Sequence, residues 1–457
     1  MSTFIPQRDR IFSDLSALVS FNSPHSVPEL ADEHAAAAEW VEGALRDAGL
    51  DVSRHPTIDN ADTIIARSTP LIDGPQVLLY SHYDVVPAGD PAKWTSDPFT
   101  LTERNGRWYG RGASDCKGNV AMHLETLRLL RERSGERPDN GGFEGLGINL
   151  VVVVEGSEEL GGGGLEVLLE EQPELFAADA ILIADSGNVA VGVPTLTTSL
   201  RGGAQLKVTV KTLNDAVHSG TFGGAAPDPV AALIRMLDSL RDEKGRTVID
   251  GVECTQTWSG QPYDSATFRA DGGVLDGVDL MGGDDEVADL VWARPAVSVI
   301  GFSSTPVDQA VNAIVPHASA QLNLRTPAEM DPRAAAEALR EHLLSHAPWN
   351  VHVEVDIEDI NNGFATDPAK PAVQLLGQCL QEAYDGAELA VVGSGGSIPL
   401  TAALQKQFPD AEIAMFGVED ALARIHSADE SVDPTEIEAI AVAEALFLTR
   451  YGATARR

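Results

Sequence analysis

Ser81-His82-Tyr83-Asp84-Val85-Val86-Pro87 follows Gln76-Val77-Leu78-Leu79-Tyr80, a short apolar run whose length and composition predict a buried strand. His82 and Asp84 then fall at the C-terminal end of that strand, the edge of an α/β sheet where ligands bind. A His with a carboxylate two residues on suits a metal: one ring nitrogen binds the ion while the carboxylate holds the other N–H. A single His near a strand end also serves as an ordinary packed residue, so the reading depends on partners.

Other strand ends supply candidates. Gly110-Arg111-Gly112-Ala113-Ser114-Asp115-Cys116-Lys117-Gly118 is a glycine-rich turn leading into a helix of about 119–133. It lacks both GxxxxGK[ST] and GxGxxG, so it is no phosphate loop, and Asp115 could simply cap the helix. Ile148 to Val154 predicts a central strand that delivers Glu155-Gly156-Ser157-Glu158-Glu159-Leu160-Gly161-Gly162. Glu158 and Glu159 could be solvated charge before a helix, but so apolar a strand brings them to the same edge as His82. Ala180 to Ala184 is the next buried strand, ended by Asp185. Around these lie predicted helices at 12–20 and 29–48, a strand at 62–66 and a hairpin at 99–109 centred on Asn105-Gly106.

From about Leu196 the texture changes. A strand at 204–211, a helix at 228–240, strands at 296–301 and 318–325, a helix at 332–346 and a strand at 351–355 make the order β-α-β-β-α-β, the ferredoxin-like arrangement. The expected organisation is an α/β domain with a mainly parallel sheet (1–195 and 362–457), interrupted by an inserted α+β domain (196–361). The acidic, Gly-rich stretch from Asp250 to Arg294 has no clear element. After Gly363 come a helix at 372–384, a strand at 388–392, the turn Gly393-Ser394-Gly395-Gly396-Ser397-Ile398-Pro399, a strand at 411–416, His426-Ser427-Ala428-Asp429-Glu430, and a final helix of about 434–450.

Composition narrows the class. A chain of 457 residues with 43% hydrophobic content can fill more than one core, and a net charge of -37 opposes binding to nucleic acid or an anionic membrane. Cys116, Cys254 and Cys379 are too few and too scattered for a disulfide framework or a Cys-rich zinc site, which points to a reducing cytoplasm. The N-terminus carries no export-signal pattern, and no apolar run approaches a membrane span.

Taken together, His82, Asp115, Glu159, Asp185 and His426 offer two imidazoles and three carboxylates, a donor set for a pair of borderline ions such as zinc with one carboxylate bridging. Glu158 is left over, and a free carboxylate beside two ions is what hydrolysis needs as general base.

In order, the motifs at 81–87, 110–118 and 155–161, then Asp185 and 426–430, resemble the M20 family of metallopeptidases: dipeptidases, carboxypeptidases and amino-acid deacylases with two co-catalytic zinc ions. The resemblance spans essentially the whole chain. It implies a catalytic α/β domain interrupted by a lid domain that mediates homodimerisation. It further implies that His82 and Asp185 bind one ion, Glu159 and His426 the other, and Asp115 both, with Asp84 behind His82 and a cis Asp115–Cys116 bond. Hydrolysis would proceed by a metal-bridging hydroxide that Glu158 activates. Manganese or cobalt could replace zinc.

Asp215-Ala216-Val217-His218-Ser219-Gly220-Thr221-Phe222-Gly223-Gly224 resembles the dipeptidase segment whose His polarises the scissile carbonyl in the partner subunit's site; on its own His218 reads as a surface or capping residue. Arg325 matches the family Arg that grips the substrate carboxylate, with a surface ion pair as the plain alternative. Gly396 and Ser397 match the substrate-binding glycine turn, or else form an ordinary helix N-terminus. Cys116, Asp429 and Asn312-Ala313-Ile314-Val315-Pro316 depart from common family forms. The chain's length, the 250–294 stretch and the 218–224 motif favour a cytoplasmic dipeptidase acting on small peptides. An N-acyl amino acid deacylase or carboxypeptidase is the nearest rival, and a non-catalytic scaffold on the same fold the more distant one.

Overall fold

In the computed structural model, which describes residues 4–70, 74–134, 143–160, 163–396 and 398–454, four strands of nearly unbroken apolar sequence carry the site. Asn149–Glu155, Gln76–His82, Ala180–Ala184 and Glu412–Phe416 lie side by side in that order, all parallel. Almost every side chain in them is buried. A run such as Val151–Val154 has no polar face to turn to water, so both faces must be covered, the usual state of a parallel sheet. Lys117–Ser134 packs on Gln76–His82, and Pro434–Thr454 packs on that helix and on Pro371–Ala383. Ala31–Asp47 buries His34, Ala37, Ala38, Val41 and Leu45, the spacing of one helical face. Each fully buried Leu or Val in this core is worth about 1.5–3 kcal/mol.

Register aligns the strands' C-terminal ends: His82 lies opposite Glu155, and Ala184 opposite Phe416. The loops after all four therefore leave from one sheet edge. Asp62–Arg67 and Asp51–Pro56 extend the sheet antiparallel on one side, and Thr195–Leu200 on the other. Neither Asp51–Pro56 nor Thr195–Leu200 is among the predicted strands. The first is a half-exposed edge strand, Asp-Val-Ser-Arg-His-Pro, whose polar residues give no apolar signal. The hairpin is shorter than 99–109: Thr102–Arg104 and Arg107–Tyr109 are joined by Asn105 at φ 50° and Gly106 at φ 82°, the left-handed pair that a two-residue turn requires.

The chain divides into two compact units: Met1–Thr198 with Thr366–Val392 and Ile398–Arg457, and Ser199–Ala365 with Gly393–Ser397. In the second, the antiparallel order is Ala296–Ser303, His317–Thr326, Gly202–Lys211, His352–Asn361. Numbered along the chain, that is 2-3-1-4, the ferredoxin-like order that β-α-β-β-α-β connectivity demands. Leu206, Val208, Val210, Leu322 and Leu324 bury against Leu233 and Met236 of Pro229–Asp238 and Leu339 and Leu343 of Pro332–Ser345. One outer strand, His352–Asn361, exposes His352, Glu354, Asp356 and Glu358, charges that discourage edge-to-edge pairing. The other exposes Val299, Ile300 and Phe302.

The 250–294 stretch is organised by side chains and not by strands. Tyr263 stacks on Trp292 at 5.4 Å, Trp258 leans on Trp292 at 5.2 Å, and Arg294 donates to Gln256 O, Glu286 and Asp289. Among the described residues no helix is long and apolar enough to cross a membrane.

Candidate metal centre

His82 ends its strand fully buried. Its Nε2 stands 3.1 Å from Asp115 Oδ1 and 3.3 Å from Asp185 Oδ1, and its Nδ1 3.2 Å from Asp84 Oδ1. The two Asp84 oxygens also accept the N–H groups of Glu158 and Glu159, each at 3.1 Å. One buried carboxylate thus ties the His of one strand to the turn that leaves the next. Asp115 turns its other oxygen to His426, with Oδ2 3.0 Å from Nε2, and the same Nε2 is 3.0 Å from Glu159 Oε2. Glu159 Oε1 accepts from Val86 N at 3.1 Å. Glu158 comes no closer than 4.0 Å to His82 Nε2.

The turn that presents Asp115 is held by Glu430. Its carboxylate accepts from Arg111 Nη1 at 2.6 Å and from the N–H groups of Gly112, Ser114 and Asp115 at 3.0, 3.0 and 3.1 Å. The Asp115–Cys116 bond is cis. Cys116 lies within ligand distance of His82 and Asp185, but its thiol donates to Ala184 O. Asp429 accepts from the Thr95 N–H and hydroxyl and from Arg104.

The charges of this cluster call for a cation. Burial resists ionisation of Asp115, yet the imidazoles of His426 and His82 hold its carboxyl well below the usual range. Burial lowers the proton affinity of His82, but the surrounding acidic groups, Asp185 and Asp115 among them, more than offset this and raise it. Hydrogen bonds to Asp115 and Glu159 push His426 up to about 10, and burial lifts Glu159 to about 7. Burial, with the Asp185 charge, raises Glu158 well above an ordinary Glu. Imidazoles that prefer to be protonated and carboxylates pressed together are what neighbouring donors do when protons substitute for metal ions. The donor set, two His and three carboxylates with one carboxylate facing both imidazoles, fits two borderline divalent ions.

A carboxylate the sequence reading passed over also lies here. Glu419, three residues beyond Glu412–Phe416 and paired with Gly187, brings an oxygen within 4.8 Å of Asp115 and Asp185 donors. Burial and those two charges raise its proton affinity strongly. Its place after an apolar strand was the available signal. Glu430 was in view only as the last residue of its motif.

His218, Arg325 and Gly396 belong to the second unit; Ser397 lies outside the described residues. His218 Nδ1 accepts from Gly220 N at 3.1 Å, which caps the short helix Ser219–Phe222 and leaves the proton on Nε2 of the exposed ring. Arg325 makes no ion pair among the described residues and neighbours a second guanidinium, Arg201, which the sequence reading did not single out. Arg201 is buried, its Nε has no acceptor, and burial together with Arg325 depresses it to about 10. Its backbone N–H donates to Gly396 O at 3.2 Å. Its Nη2 donates to Arg294 O at 2.7 Å and to Arg325 O at 3.3 Å, and among the described residues no carboxylate pairs with either guanidinium.

Residues 78–450 match Peptidase family M20/M25/M40. Over 449 residues the chain is 59% identical to the cysteinylglycine-S-conjugate dipeptidase of Corynebacterium striatum, covering 98% of this chain and 96% of that one. An M20 family metallo-carboxypeptidase from Sulfolobus solfataricus superposes with a TM-score of 0.81 at 21% identity over 97% of this chain and 100% of that one. A dipeptidase from Saccharomyces cerevisiae does so with a TM-score of 0.78 at 22% identity over 98% and 96%. With most of its length matched, and a relative this similar over nearly all of both sequences, the chain belongs to peptidase family M20/M25/M40.

Proposed function

We propose that this chain is a cytoplasmic, metal-dependent dipeptidase, active as a homodimer formed through its inserted domain, and that its substrates include S-substituted cysteinylglycine. The observation that carries the reading is Asp115 standing between two imidazoles, 3.1 Å from His82 and 3.0 Å from His426, with Glu158 alongside and bonded to neither. His82, Asp185, Glu159, His426 and Asp115 would hold two divalent ions between them; zinc would fit best, with manganese or cobalt as substitutes. Such ions supply charge that polarises the scissile carbonyl and makes water easier to deprotonate.

The chain's own groups do the rest. Glu158, whose proton affinity burial raises, accepts a proton from the attacking water on its carboxylate and passes it to the leaving amine. Asp84 fixes both His82 and the Glu158–Glu159 turn. His218, with its proton on Nε2, donates to the carbonyl oxygen as negative charge develops there, acting from the neighbouring subunit. Arg325, Arg201 and the turn with Gly396 and Ser397 receive the substrate carboxylate, a grip that selects free C-termini. The substrate class follows the 59% identical relative, a cysteinylglycine-S-conjugate dipeptidase.

The deciding experiment offers cysteinylglycine, its S-substituted forms, other dipeptides, tripeptides and N-acyl amino acids to metal-loaded and chelated protein. Cleavage of dipeptides, lost on chelation and strongest on S-substituted cysteinylglycine, is expected. Activity confined to N-acyl substrates would move the protein to the deacylases, and silence throughout would make it a scaffold.

A further inference from the structure

Asp250, His342 and His346 gather in the second unit, and no step proposed for catalysis uses them. His342 and His346 stand four residues apart at the C-terminal end of Pro332–Ser345, so they share a face, and their rings stack at 4.1 Å. Asp250 Oδ2 approaches both, 3.3 Å from His342 Nδ1 and 2.9 Å from His346 Nε2, and all three donor atoms lie within 4.8 Å of one another. Donors held about 2.0 Å from a tetrahedral ion are about 3.3 Å apart, so the spacing here is close to that of a formed site.

Hydrogen bonding makes His342 competent to bind. The Ser239 hydroxyl donates its proton to Met236 O, so at 3.1 Å from His342 Nε2 its oxygen can only accept. That fixes the Nε2–H tautomer and leaves the Nδ1 lone pair facing Asp250, where it accepts the Asp250 N–H at 3.0 Å. A metal-binding His commonly has its far N–H held in this way. His342 is buried while Asp250 and His346 are 60% and 41% exposed, so an ion can enter from solvent and keep water in its remaining position. The C-terminal carbonyls of the helix add a field that favours a cation.

We infer that Asp250, His342 and His346 form a third metal site, separate from the pair in the first unit, for a divalent transition ion of the zinc, nickel or copper class. Two imidazoles with one carboxylate exclude calcium and magnesium as its natural occupants. Bound there, the ion takes the place of the Asp250 N–H on Nδ1 and clamps the start of the 250–294 stretch to the helix that ends at Ser345.

The test is calorimetric titration of zinc-loaded protein, freed of loosely held metal, with Ni2+. Wild type should take up one further ion per chain, and His346→Ala, altered at an exposed position, should bind it at least about tenfold more weakly with peptide hydrolysis unchanged. His426→Ala, impaired at the first centre, should still take up the further ion, which separates failure here from failure of the dipeptidase reading. Identical titrations of wild type and His346→Ala would overturn the assignment.

Discussion

Asp84 shows how much one buried carboxylate can hold: a ring nitrogen of His82 on one side and two backbone N–H groups of the Glu158–Glu159 turn on the other. Asp84→Ala should therefore weaken metal binding about 10- to 100-fold, the usual cost of losing such support, as read by competition with a chromogenic chelator. Glu158→Gln, by contrast, should lower turnover about a hundred- to ten-thousand-fold with metal content unchanged by elemental analysis. Normal turnover would remove Glu158 from its role. Glu430→Ala strands a buried Arg111 guanidinium and three N–H donors, so denaturant unfolding should report a loss of about 3–5 kcal/mol.

At the level of elements, the helix Ala31–Asp47 carries a pH-sensitive contact. Burial lowers the proton affinity of His34, and its neutral ring donates to Gly156 O at 2.6 Å. A native pKa below the ordinary 6.5 means that the stability from neutral His34 is complete above that value and is lost as pH falls through the lowered native value. Melting temperature should thus fall on acidification below about pH 6.5. His34→Gln, which keeps a donor but does not titrate, should flatten that fall; an unchanged slope would assign it to other groups. In the second unit, the outer strand Ala296–Ser303 exposes Val299, Ile300 and Phe302 where its counterpart His352–Asn361 exposes charge. Phe302→Lys should shift the proposed dimer toward monomer in sedimentation, and an unaltered dimer would move the interface elsewhere.

For the molecule as a whole, the proposed division of labour between subunits has a direct check. His218→Ala and Glu158→Gln proteins, each inactive alone, should recover part of the activity when mixed as heterodimers. No recovery would confine the site to one chain. Ions bound only by the folded state add stability by mass action, about 4 kcal/mol at a thousandfold excess over the dissociation constant. Chelation should accordingly lower the melting temperature by several degrees, the more so because a net charge of -37 already presses against the fold.

What the sequence determined was local. Continuous apolar runs named the four central strands, and the order of strands and helices after Leu196 named the ferredoxin-like arrangement, because burial on two faces or on one is written in the periodicity of neighbouring residues. The candidate metal donors were legible for the same reason, each following a strand or turn that could be recognised by itself. Tertiary structure decided what the donors do together. That Asp115 faces two imidazoles, one of them 311 residues away, that Glu430 holds its turn, that Glu419 stands beside Asp115 and Asp185, and that Arg201 neighbours Arg325 are matters of convergence between distant segments. Periodicity carries no record of convergence. The 250–294 stretch and the polar edge strand Asp51–Pro56 were illegible on the same ground: aromatic stacking, an arginine's hydrogen bonds and a neighbouring strand hold them in shape, and none of these is a property of the segment alone.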